Sequence, residues 1–180
     1  YEALVIPDIK EACDIFANLY QTSNGEDGYV SIEVSPTLAY DTENTVIHAK
    51  RLWKEIDRPN LMIKIPATAE GIIAFRELIS MGINVNITLI FSLNQVIDTW
   101  EAYIDGLRKR HQQKLPLNHI KAVASLFLSR IDSAIDSRLP EHLQGKTAIS
   151  LAKTAYLVYN EIFDTINAKT ESVWHELKLA

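Results

Sequence analysis

Four short runs rich in apolar and β-branched residues recur along this chain, each followed by a stretch long enough for a helix, and that order leaves few folds open. The runs are GYVSIEVS (28–35), NLMIKIPA (60–67), NVNITLIF (84–91) and AVASLFLS (122–129). Helical patterns separate them. Asp41 opens one that runs to Asp57, with Val46, Ala49, Leu52, Trp53 and Ile56 at helical spacing. Thr68 caps the next, which buries Ile72, Phe75, Leu78 and Ile79 and stops before Gly82. Ser92 with Gln95 three residues later is a capping-box signature for a helix over 93–110. After Pro140 the spacing predicts a long helix over 147–167, striped by Ile149, Ala152, Ala155, Tyr156, Tyr159 and Phe163. A further helical pattern begins almost at the first residue. The chain opens Tyr1-Glu2 without an initiator methionine, so an N-terminal piece is expected to have been removed or omitted. No linker or low-complexity tract interrupts the pattern, and residues 1–180 read as a single domain.

Strands joined by helix-length connections are parallel neighbours with helices outside, which makes the class α/β. Two arrangements compete, an open doubly wound sheet and a (β/α)8 barrel. No GxGxxG turn or Walker-type phosphate loop follows any of the runs, so the usual nucleotide site of the open sheet is missing. Side-chain parity separates the two further. On the second run Lys64 shares a face with Met62 and Pro66, against Ile63 and Ile65. Glu33 lies with Ser31 and Ser35, against Ile32 and Val34. Asn86 and Thr88 lie with Asn84, against Val85, Ile87 and Leu89, and Ser125 lies with Phe127. One face is thus apolar on every strand and the other polar, as expected of a closed parallel barrel whose polar residues converge on an internal site.

Composition excludes several classes of function. A net charge of -5 with a pI near 5.5 argues against a protein that binds nucleic acid through phosphate neutralisation. The basic cluster Arg108, Lys109, Arg110, His111 and Lys114 reads as a solvated helix end, where cations suit the macrodipole. The single cysteine, Cys13, has no disulfide partner within the chain and falls on a helical stripe, as a small core residue would. A reducing, cytoplasmic setting is expected. Apolar runs fall short of the ~18 residues a membrane span needs, so no membrane partner is expected. His48, His111, His119, His142 and His175 are scattered over helices and loops, which suggests no metal.

Lys64 carries the chemistry. An ammonium in an apolar strand is paired, shifted in pKa, or directed into a polar cavity, unless it lies at a strand end and reaches solvent. A desolvated lysine attacks a ketone or aldehyde to give a Schiff base, an electron sink for carbon–carbon cleavage. Glu33 on the neighbouring strand can act as general acid and base, directly or through one water, and the Thr88 hydroxyl can hold that water. A structural Lys64–Glu33 salt bridge is the competing use of the pair.

The stretches VSIEVSPTLAYDTE (30–43), LMIKIPATAEGI (61–72), GINVNITLIFS (82–92), ASLFLSRID (124–132) and LQGKTAISLAKTAY (143–156) closely resemble those of the transaldolases, especially of actinobacterial and cyanobacterial type. The resemblance implies a Schiff-base (β/α)8 enzyme of the pentose phosphate pathway, acting on sugar phosphates without a cofactor. It puts the nucleophilic lysine on Lys64, the catalytic glutamate on Glu33, the water-positioning threonine on Thr88 and the substrate-contacting asparagine on Asn86. The family's serine and phenylalanine of the sixth strand fall on Ser125 and Phe127, and its phosphate-binding arginine on Arg130. Arg130 breaks the parity of Ser125 and Phe127, so it is expected in a loop or bulge; as a surface residue it would instead pair with Asp132 or Asp136. The related fructose 6-phosphate aldolases carry glutamine at the position of Glu33, so the chain sides with transaldolase.

On this reading the four strands are the third to sixth of the barrel. A barrel of this type needs about 250 residues, so the chain is expected to be a segment of a longer or fused enzyme, or an inactive barrel fragment serving as an assembly module. Its open edges are expected to be covered by a complementing chain or a second copy.

Overall fold

The computed structural model describes residues 2–169. Four strands, β1 (Val30–Glu33), β2 (Leu61–Pro66), β3 (Val85–Ile90) and β4 (Ala122–Leu126), form one sheet in the order of the chain, every neighbouring pair parallel. Six α-helices are described: α1 (Glu2–Thr22), α2 (Thr42–Ile56), α3 (Ala69–Met81), α4 (Leu93–Gln112), α5 (Ser129–Ile135) and α6 (Thr147–Lys169). This is the α/β class expected, with α1 to α4 packed against β1 to β4. None of the described helices is long and apolar enough to cross a membrane.

Local chemistry explains where the helices begin and end. The Asp41 carboxylate accepts from Asn44 N at 3.0 Å and opens α2, which stops at Asp57 in the left-handed region. Thr68 Oγ1 accepts from Gly71 N at 2.9 Å at the head of α3, and Gly82, at φ 85°, closes it. Ser92 accepts from Gln95 N at 3.2 Å as a capping box requires. The reciprocal bond differs: Gln95 Oε1 reaches Phe91 N. The basic end of α4 is largely engaged, because Lys109 pairs with Glu77 at 2.6 Å, Arg108 with Asp105 at 3.0 Å, and Arg110 donates to Pro116 O at 2.6 Å.

The apolar face of the sheet and the inner stripes of the helices form one core, in which Ile63, Ile65, Val85, Ile87, Phe75, Leu78 and Ile79 have no exposed surface. Cys13 is a free thiol buried in it. On α6 the expected stripe is rotated. Ala148 and Ala155 are buried and Val158, Ile162 and Phe163 pack on the core, while Ile149 and Tyr156 face outward, 48% and 65% exposed.

Two strands depart from the sequence reading. On β3 the register with β4 shifts between Ile87 and Ile90, with Leu89 in the left-handed region at φ 61°. Leu89 was expected against the helices; Ile90 takes that place instead, 1% exposed, and Leu89 is only half-buried. The fourth strand ends at Leu126 rather than at 129, because Ser129 begins α5. A continuous apolar run cannot by itself separate a strand from the first turn of a helix.

Buried asparagines pin the N-terminal ends of the strands. Asn60 Nδ2 donates to Cys13 O and Gly28 O, both at 2.9 Å. Asn84, 2% exposed, donates to Pro59 O and Leu61 O and accepts from Lys121 N at 2.9 Å, which joins β2, β3 and β4. It shares a parity with Asn86 yet serves the sheet's closed end. Replacing Asn84 by leucine strands the Lys121 N–H in the interior and should cost about 3 kcal/mol, read as a lowered urea midpoint; an unchanged midpoint would refute the clamp.

Candidate active site

The polar face of the sheet brings the sequence-selected residues into adjacent rows. Glu33 pairs in register with Lys64, and Lys64 with Asn86, so one residue from each of β1, β2 and β3 stands in a single row. Neighbouring strands in a sheet lie about 4.8 Å apart. Two residues further on, Pro66 pairs with Thr88. The face is concave, because Asn86 Nδ2 reaches over β2 to donate to Ser31 Oγ at 3.3 Å. Its Oδ1 accepts from Ser125 Oγ at 2.8 Å. Asn86 is thus held from both sides, and Ser125 lies opposite the extra residue of β3.

The charged pair is open. Lys64 is half-buried and Glu33 exposed, and neither enters an ion pair among the described residues. The salt bridge that competed with a chemical use of the two is therefore not formed. Thr88 is 1% exposed and its Oγ1 has no hydrogen-bond partner among the described residues. A buried hydroxyl without a partner is uncommon and is relieved by a water or a ligand atom. An amine, a carboxylate and an unsatisfied hydroxyl in adjoining rows are chemically able to act as a nucleophile, a proton carrier and a water-binding group.

Phe127 and Arg130 lie past the end of β4. Phe127 N donates to Ile90 O at 3.1 Å, and its ring is 5.8 Å from that of Phe91. The Arg130 guanidinium stands 4.6 Å from the Phe127 ring centroid, a cation–π contact. Arg130 was expected in a loop or bulge; it lies in the first turn of α5. The change of parity comes from the strand-to-helix switch at Leu128, whose backbone is already in the helical region. Its suggested acidic partners face elsewhere: Asp132 Oδ1 accepts from Ala148 N at 3.2 Å and Asp136 Oδ2 from Gly145 N at 3.1 Å, both at the head of α6.

Two contributors carried no functional signal in the sequence. Ser31 shares the parity of Glu33, but its bond to Asn86 depends on the curvature of the sheet. Gln95 was legible only as a capping residue, although its side chain also reaches the exits of β2 and β3. Among the described residues no group of three or more His, Cys, Asp and Glu is arranged to hold a metal ion.

Comparison with known proteins gives this face a lineage. The transaldolase/fructose-6-phosphate aldolase family matches residues 1–179. The chain belongs to that family. The transaldolase of Thiobacillus denitrificans is 52% identical over 170 residues, covering 91% of this chain and 47% of that protein. Those of Saccharopolyspora erythraea and Trichodesmium erythraeum are each 48% identical, covering 89% and 92% of this chain and 44% and 47% of their own lengths. The chain therefore spans about half the length of the curated relatives it matches. As a member of the transaldolase/fructose-6-phosphate aldolase family it represents the stretch of a (β/α)8 barrel that carries these four parallel strands.

Proposed function

We propose that this chain carries the Schiff-base centre of a transaldolase, a transferase that moves a dihydroxyacetone unit from a ketose phosphate to an aldose phosphate. The observation that carries the reading is the row Glu33, Lys64, Asn86 on a concave polar face, with the unpartnered Thr88 hydroxyl in the next row. In this reading the neutral Lys64 amine attacks the C2 carbonyl of fructose 6-phosphate or sedoheptulose 7-phosphate. The carbinolamine then loses water to give an iminium. Cleavage of the C3–C4 bond releases an aldose phosphate, and its electron pair is taken up by the iminium as an enamine. The enamine adds to a second aldose phosphate such as erythrose 4-phosphate, and hydrolysis frees the new ketose and the amine.

Glu33 moves protons in both directions, through a water held by Thr88. Asn86, fixed by Ser31 and Ser125, has an amide oriented to meet substrate hydroxyls. Phe127 forms an apolar wall and a platform for Arg130, whose guanidinium, without a carboxylate partner among the described residues, is available to a substrate phosphate. Central carbohydrate metabolism of the pentose phosphate type, in the cytoplasm, is the setting that fits such substrates. β1 and β4 are the edge strands of the sheet among the described residues. We assign the covering of those edges to further strands, supplied by a longer polypeptide or a second chain.

The test is covalent trapping. Incubation with fructose 6-phosphate followed by borohydride should leave a reduced dihydroxyacetone adduct on the peptide that contains Lys64, located by mass mapping. A folded sample that gives no adduct there would overturn the reading.

A further inference from the structure

Gln95 uses every polar atom of its side chain, and capping α4 explains only part of that. Oε1 accepts from Phe91 N at 3.0 Å and from Ser92 Oγ at 3.4 Å, while Nε2 donates to Ala67 O at 2.8 Å and to Leu89 O at 3.4 Å. The two carbonyls belong to different strand exits. Ala67 lies one residue beyond β2, three residues after Lys64, and its own N–H donates to Thr88 O at 2.7 Å. An unbroken parallel ladder would next bring the N–H of Ile90 to the Ala67 carbonyl. The pairing of β2 with β3 ends at Pro66 and Thr88, Leu89 then turns into the left-handed region, and the Gln95 carboxamide takes up the carbonyl instead. The same amide holds Leu89, whose left-handed backbone a leucine adopts only at a cost.

The geometry points to Gln95 as a positioning residue. Its side chain stands in for the missing strand bond, ties the exit of the strand bearing Lys64 to the turn that follows Thr88, and so fixes the Thr88 hydroxyl relative to the amine. Without that tie, Leu89 relaxes toward an ordinary extended conformation, the exits of β2 and β3 are no longer held together, and the Thr88 hydroxyl shifts relative to the amine. The inference rests on the reading of Thr88 as the hydroxyl that holds the catalytic water.

The test uses Gln95→Leu, which removes all four bonds at similar volume, alone and combined with Thr88→Val. Trapping of fructose 6-phosphate on Lys64 should slow between about tenfold and a hundredfold in Gln95→Leu. Thr88→Val should show a comparable loss, and the double variant should be no slower than Thr88→Val, because both changes act on one water. Losses that multiply in the double variant would overturn the inference, as would an unchanged rate in Gln95→Leu. The 13C methyl signal of Thr88 gives a second readout that needs no turnover. It should move in Gln95→Leu, and an unmoved signal in the folded variant would also overturn the inference. If the wild-type chain forms no adduct while that signal moves, the Schiff-base reading fails and the link from Gln95 to Thr88 stands.

Discussion

Gly71→Ala is expected to lower the stability of the chain by about 3 kcal/mol or more, the largest loss foreseen for so small a change. A Cβ at this position would stand 1.9 Å from the Pro66 carbonyl oxygen and 2.9 Å from Thr68 Oγ1. The first neighbour is backbone, so no rotamer relieves it. Either α3 lifts off the sheet or the exit of β2 is displaced, and overpacking against a fixed neighbour typically costs 1–3 kcal/mol, sometimes more. Alanine gains about 1 kcal/mol of helix propensity over glycine, which offsets only part of that loss. The Thr68 cap is disturbed as well, because Gly71 N is its donor. Urea unfolding measures the effect, and a midpoint equal to that of the wild type would show that the approach of helix to strand is slack. The damage should extend to the chemistry, since Pro66 is two residues from Lys64.

Lys64→Arg and Lys64→Met should each abolish trapping of fructose 6-phosphate, a loss of at least about a thousandfold. Arginine keeps the positive charge, but its guanidinium does not deprotonate under these conditions and cannot form the imine. Methionine keeps the apolar stem and removes the nitrogen. Neither substitution should change the unfolding free energy from urea titration by more than about 1 kcal/mol, because Lys64 is half-buried and loses no ion pair among the described residues. The contrast with Gly71→Ala matters: one position governs the fold, the other the reaction. An adduct that persists on a different lysine at the wild-type rate would sink the assignment of Lys64.

Much of this arrangement was legible in the sequence, and the residues say why. Lys64, Glu33, Asn86 and Ser125 were recoverable from strand parity, because a period of two is rigid wherever a strand runs regularly. Helices α2, α3 and α4 announced themselves through Asp41, Thr68, Gly82 and Ser92, whose side chains or backbone freedom meet the open ends of a helix. Parity failed where regularity failed. Leu89 gives no local sign of a left-handed turn, since glycine or asparagine would be the usual marker, and the contacts that sustain it come from Gln95 in the next element. Arg130 was misjudged for a related reason: AVASLFLS continues its apolar character past the end of β4 into α5, so the change of period at Leu128 has no compositional signature. Tyr156 and Ile149 were assigned inward because a helix of small and apolar residues offers several stripes, and only its neighbours select one.

The row formed by Glu33, Lys64 and Asn86 sets a limit on how this site can diversify. Its spacing is fixed by backbone hydrogen bonds, so a substitution at any of the three alters reach or charge but not the point from which the side chain starts. The next permitted setting that keeps each side chain on its face is a slip of two residues, about 6.6 Å along a strand. Nothing intermediate is available. Aspartate at 33 would shorten the arm by one methylene, and glutamine would remove its proton traffic, yet both would hang from the same point. New reactivity on this scaffold must therefore come in discrete steps of side-chain length and chemistry, on a scale whose graduations belong to the sheet.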